Sequence, residues 1–250
     1  MTVLEILAVL VAGVWAGAIN TIVGSGTLVT FPVLLAVGYP PVVANVSNGI
    51  GLVPGSAAGA WGYRRELAGQ RDRALKLGTA SLVGATVGAV LLLELPAEAF
   101  ETIVPAFIAL ALLGILFQRR LQARIADRAQ RGEHGGFVTW LGVFVSGIYG
   151  GYFGAAQGIL LLSVLGLTLR DELQRLNALK NVLAGLANLV SGVVFVLVAE
   201  VAWEAVACVA AGAALGGVLG ARYGRRLPAG ALRAVIVAVG IAAIVLLLVR

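Results

Sequence analysis

Ten hydrogen-bonding side chains stand in stretches of this chain that are otherwise almost wholly apolar: Asn20, Thr21, Ser25, Thr27, Asn45, Asn48, Gln157, Asn177, Lys180 and Asn181. They are amides, hydroxyls and one ammonium, groups that offer N–H and O–H donors to an oxyanion. They do not form a nucleophile–base pair or a carboxylate pair, and the Gly-Lys-Ser/Thr ending of a P-loop is absent. Cys208 and His134 are each the only residue of their kind, too few for a disulfide framework or a metal cluster. No catalytic residue, metal ligand or cofactor is expected, and the chain reads as a binder of small anions and not as an enzyme.

Spacing groups these residues. Asn45 and Asn48 are i, i+3, with Ser56 further along the same helical face, and Asn177, Asn181 and Asn188 repeat at i, i+4, i+11. Amides in hydrocarbon are costly unless paired, so both faces should look inward. They either bind a solute or hold neighbouring helices together. Lys180 shares the second face. It is either a buried cation near an anion path or a side chain that snorkels to the interface. Gly24, Ser25 and Gly26, with Pro32, mark a break in the first apolar block. The run from Gly147 to Gly158, including Gly150, Gly151, Gly154 and Gln157, marks its counterpart. Pro40-Pro41 suits the first turn of the next helix, and Asp171 with Gln174 resembles a capping box.

The elements that carry these residues follow from composition. Of 250 residues, 60% are hydrophobic and only 12% charged. No single soluble core could hide that much apolar surface. A bilayer core of about 30 Å needs about 20 apolar residues per helix. The apolar blocks run 3–38, 41–63, 75–94, 99–118, 137–169, 173–199, 203–222 and 230–249, and they lack the alternation of a β-barrel. The class is an all-α polytopic membrane protein. The net charge of +6 fits basic cytoplasmic loops and not nucleic acid. Trp15, Trp61, Trp140 and Trp203 read as interfacial anchors.

A repeat is visible. Gly84 and Gly88, closed by Leu95-Pro96, match Gly216 and Gly220, closed by Leu227-Pro228, at an offset of 132 that also sets Gly26 on Gly158. These paired glycines suit close helix packing. The chain divides into a first transmembrane repeat, 1–118, a basic linker, 119–136, and a second repeat, 137–250. Loop charges reverse between the copies. Arg64, Arg65, Arg71, Arg73 and Lys76 precede Glu94, Glu98 and Glu101, whereas Glu200 and Glu204 precede Arg222, Arg225, Arg226 and Arg233. By the positive-inside rule the copies are inverted, each a broken, re-entrant hairpin plus three transmembrane helices. The linker is then cytoplasmic and both termini lie outside a cell inner (plasma) membrane. Opposed half-helix N-termini would meet near the midplane around a small anion. Alternating access is the expected mechanism, with an anion channel carrying a midplane filter as the alternative.

Gly17-Ala-Ile-Asn20-Thr-Ile-Val-Gly24-Ser-Gly26, then Phe31-Pro32-Val-Leu-Leu, Ala44-Asn45-x-x-Asn48 and the Gly84 and Gly216 stretches resemble the sulfite exporter TauE/SafE (TSUP) family over essentially the whole chain. The resemblance implies a membrane exporter of sulfite, organosulfonates or related sulfur-containing or organic anions. The second copy departs at Val164 in place of Pro32 and Gln157 in place of Ser25. The substrate-binding residues expected are Asn20, Thr21, Gly24, Ser25, Gly26, Thr27, Asn45, Asn48, Gln157, Gly158, Asn177, Lys180 and Asn181. The partners expected are a small anionic substrate and the lipid bilayer. A coupling ion, H+ or Na+, and a homodimer stay open.

Overall fold

The computed structural model describes residues 1–96, 98–100, 102–113 and 136–223, together with 238 and 241. The linker arginines, Glu101, His134, Leu227-Pro228, Arg225, Arg226 and Arg233 lie outside the described residues, as does nearly all of the block at 230–249. Among the described residues the secondary structure is entirely helical. We number α1 Val3–Ile22, α2 Thr27–Ala36, α3 Pro41–Gly51, α4 Val53–Gly62, α5 Arg71–Glu94, α6 Phe137–Tyr152, α7 Gln157–Thr168, α8 Leu173–Val198 and α9 Trp203–Tyr223. Residues 98–100 and 102–113 are also helical.

Helices α1, α5, α8 and α9 are long and apolar enough to cross a membrane, while α2, α6 and α7 are shorter apolar pieces. Burial separates their faces. On α1, Val3, Leu4, Leu7, Val11 and Trp15 are exposed, a stripe at helical spacing suited to lipid, while Val9, Ala12, Gly13, Ala16 and Gly17 are buried. Trp61 and Trp203 are likewise exposed.

Small residues draw the helices together across the two halves of the sequence. Gly13 faces the Val209 carbonyl so closely that a methyl there would stand 3.0 Å from it, and on Gly216 a methyl would stand 2.9 Å from the Ala18 nitrogen. These contacts lay α1 along α9. In the same way Gly84 and Gly88 of α5 take up α6: a methyl on Gly88 would stand 2.8 Å from the Tyr152 nitrogen, and one on Gly147 2.9 Å from the Ser81 carbonyl. The packing expected at the Gly84/Gly88 and Gly216/Gly220 pairs is what the structure contains.

Four expectations need correction. Block 41–63 is not one rod. Leu52 interrupts it, because Pro54 has no N–H to return to Ile50 and the helix restarts at Val53. Pro32 is not part of the first break; it lies inside α2, below the break at 23–26. Gly147, Gly150 and Gly151 do not break the second block either. They are helical in α6, and the interruption falls at 153–156. Asp171 does not cap α8. The N-cap is Glu172, without a side-chain bond, and Asp171 instead holds two arginines. Pro41 does open α3, as its fixed backbone angle suits.

Candidate anion site at the paired breaks

The first break is closed by two N–H groups, those of Val23 and Gly24, both donating to the Ile19 carbonyl at 2.7 and 3.0 Å. Gly24 then turns with φ +87°, a left-handed value that a side chain would strain. The second break repeats the device: Phe153 and Gly154 both donate to the Tyr149 carbonyl at 2.9 Å, and Gly154 has φ +75°. The turns therefore correspond as Gly24 with Gly154, 130 positions apart. This differs by two from the register of the glycine pairs, so Gly26 and Gly158 are not counterparts in the turns. The two breaks touch: the Gly158 N–H donates to the Gly24 carbonyl at 3.0 Å.

A helix end buried in apolar surroundings leaves carbonyls that need donors. The polar faces of α3 and α8 supply them crosswise. From α8, Asn177 Nδ2 and Asn181 Nδ2 donate to the Thr21 carbonyl at 3.3 and 3.2 Å, closing the end of α1. From α3, Asn45 Nδ2 donates to the Tyr152 carbonyl at 2.9 Å, closing the end of α6. Asn48 braces the start of α2, donating to Thr27 Oγ1 at 3.2 Å and accepting from Thr30 Oγ1. The i, i+4 spacing sets Asn177 and Asn181 on the first break together, whereas the i, i+3 pair divides, Asn45 going to the second break and Asn48 to the first. Thr30, one turn beyond Thr27, joins this set although it is not among the expected binding residues.

Lys180 is completely buried, which rules out snorkelling to the interface. Its Nζ donates to the carbonyls of Asn20 at 3.0 Å and Thr21 at 3.3 Å. Among the described residues it forms no ion pair. Ser25 is fully buried in the first break and its hydroxyl has no partner, and the Asn177 Oδ1 is also unpartnered. The N–H groups of Ser25, Gly26 and Thr27, at the start of α2, donate to no backbone carbonyl among the described residues. Donors are thus in excess here, and an ammonium lies beside them. Thr21 spends its hydroxyl on the Gly17 carbonyl at 2.9 Å. Gln157 turns away: its Nε2 donates to the Ser146 carbonyl at 3.2 Å and its amide lies against Gly150.

One recess borders this centre and another lies at an end of the bundle. A 190 Å³ groove between α4 and α8 has Ser56 and Asn181 among its lining, and the buried Ser56 hydroxyl is unpartnered. A 260 Å³ recess at one end of the bundle is lined by Arg64, Arg65 and Arg222 with Glu66. Beside that end, Asp171 bridges Arg73 at 2.6 Å and Arg175 at 2.8 Å. Burial would raise the Asp171 carboxyl, but the Arg73 hydrogen bond, the Glu172 N–H and both guanidinium charges outweigh it and hold it below the usual carboxylate range.

A helical bundle with membrane-length spans, two interrupted helices and a buried polar centre defines an integral membrane protein of the broken-helix kind. The chain belongs to the sulfite exporter TauE/SafE family, whose description matches residues 9–247. It is 29% identical over 221 residues to a "Probable membrane transporter protein" of Haemophilus influenzae, covering 88% of this chain and 85% of that protein. It is 29% identical over 215 residues to the "Probable membrane transporter protein YfcA" of Escherichia coli K12, covering 85% and 76%. With the "Probable membrane transporter protein ORF9" of Sinorhizobium sp it shares 28% over 240 residues, covering 95% and 90%. No solved structure gives a significant match. The family and these relatives make the chain a membrane transporter.

Proposed function

We propose that this protein is a secondary transporter of a small anion, an exporter of sulfite, an organosulfonate or a related sulfur-containing or organic anion. The observation that carries this reading is the buried Lys180 ammonium at the meeting of the two breaks, with no carboxylate paired to it among the described residues. An uncompensated buried charge is costly. An anion beside it would offset that cost. Such an anion would sit between Lys180 and the start of α2, taking bonds from Ser25 Oγ and the free N–H groups of Ser25, Gly26 and Thr27. Asn20, Asn48, Asn177 and Asn181 shape this volume. Gly24 and Gly158 close it by their mutual bond.

The halves are read as inverted copies in the inner membrane, with the Arg64–Arg73 loop cytoplasmic and both termini outside. Two observations support this. Arg73 of the first half and Asp171 of the second share one end of the bundle, and the Met1 amine and Glu204 meet 3.1 Å apart. The bond between the two breaks would part and re-form as access alternates.

The test uses purified protein in liposomes loaded with unlabelled sulfite or sulfoacetate. Labelled anion should accumulate by counterflow and saturate. Lys180→Met and Ser25→Val should each lower apparent affinity by about tenfold or more, the loss of one charge-assisted contact. Flux that rises without limit and shows no counterflow would instead favour the anion channel. Binding of no anion by correctly folded protein would end the proposal.

A further inference from the structure

The last carbonyls of a helix carry the negative end of its dipole and have no partner within it. At the end of α1 these are the carbonyls of Asn20 and Thr21, deep inside the protein. The Lys180 ammonium lies on both. Its stem passes α7 where Gly158 has no side chain, since a methyl there would stand 3.1 Å from Lys180 Cδ. Asn177 and Asn181 complete the donors around the Thr21 oxygen. The result is a cation among backbone oxygens at the C-terminal end of an interrupted helix. In transporters built from broken helices, that is where a coupling sodium ion is held.

Among the described residues the surroundings hold no competing charge. Helices α3, α4 and α7 carry no ionisable side chain, and α1 carries only Glu5, at its opposite end. Helix α6 brings the phenols Tyr149 and Tyr152. Helix α5 brings Arg71, Asp72, Arg73 and Lys76 at one end and Glu94 at the other, and α8 itself brings Arg175, preceded by Asp171 and Glu172. Arg73, Asp171 and Arg175 are bound to one another.

We propose that Lys180 is the coupling residue: a tethered cation in the place of a sodium ion, so that each anion crosses together with a proton bound at its amine and transport is independent of sodium. This rests on the anion-transport reading above. A proton from water on the loading side joins the Nζ lone pair, and the ammonium then holds both the α1 carbonyls and the anion. On the far side the proton returns to water and the neutral amine releases the anion. With a monovalent anion the pair moves no net charge.

The experiment compares driving forces in proteoliposomes, using sulfite and sulfoacetate as probes. A pH gradient alone should drive accumulation, and replacing all sodium by choline should leave the rate unchanged. In weakly buffered solution the wild type should take up a proton as it binds the probe. Lys180→Arg, which stays charged, should bind more weakly and take up none. Sodium-dependent transport, accumulation that ignores the pH gradient, or proton uptake by Lys180→Arg would each overturn the proposal. So would loss of all binding in a folded Lys180→Arg, because a permanently charged side chain at this place should still hold the anion. If no anion moves under any gradient, the transport reading itself has failed; sodium-driven movement would leave that reading standing and remove only this inference.

Discussion

The Gly158 N–H donates to the Gly24 carbonyl at 3.0 Å, so the two interruptions of the chain are bonded directly to each other. Each half-helix start is positioned by the other, and neither residue can carry a side chain without separating them. This one bond sets how close the polar groups of α1, α2, α7 and α8 come together.

Gly158→Ala should therefore destabilise the protein by about 1–3 kcal/mol, the range for overpacking a close contact. The added methyl would meet backbone, which cannot swing aside. Gly24→Ala should cost more, because its φ of +87° adds about 1–2 kcal/mol of left-handed strain. Gly49 of α3 is the control. Nothing lies within 4 Å of a methyl built there, so Gly49→Ala should stabilise by about 0.5–1 kcal/mol. Thermal unfolding in detergent ranks the three. A Gly158→Ala protein as stable as wild type would show that the breaks are apart in solution.

The Asp171 pair makes a prediction about pH. Its carboxyl is held below its ordinary value of 3.8, so its contribution is fully present above that value and is lost as pH falls through the lower folded one. Asp171→Asn should remove it at every pH, costing about 1–3 kcal/mol for a charged hydrogen bond broken. The site is local. Arg175 also donates to the Ala68 carbonyl at 3.1 Å, and Gln70 donates to the Arg175 carbonyl at 3.0 Å. Faster hydrogen exchange across residues 63–70 in Asp171→Asn, with α9 unchanged, is the expected signature. Equal exchange in both proteins would show that the pair holds nothing.

Sidedness can be read by labelling. In a Cys208→Ser background, single cysteines at Glu66 and Glu200 should react with a membrane-impermeant thiol reagent from opposite sides, Glu66 only from the cytoplasm. Reaction of both from the same side would refute the inverted arrangement of the halves.

Much of this architecture was legible because membrane burial makes polar groups conspicuous. Gly24 and its neighbours, Asn45, Asn48, Asn177 and Asn181 could be picked out as one system, and the structure joins them through the ends of α1, α2 and α6. What escaped was whatever depends on a partner distant in sequence. Lys180 could have reached the interface or the interior, and only its carbonyl partners on α1 decide it. Asp171 looked like a cap because its sequence neighbours allow one; Arg73, far away in the chain, claims it instead. Gln157 appeared to face a solute, yet the bare surface of Gly150 makes room for it against α6. The kink at Leu52 was signalled by Pro54 and lost in an unbroken apolar run.

The glycine seams have a consequence for how the chain could be divided. Helix α1 is fitted to α9, and α5 to α6, so both of these seams join an early segment to a late one. Two fragments cut at the connecting stretch would each lack the surface that completes its own interior. Expressed alone, each should be degraded; produced together, they should reconstitute a working carrier. The moving bodies of such a carrier would be the seamed pairs, each built from both fragments, and not the fragments themselves.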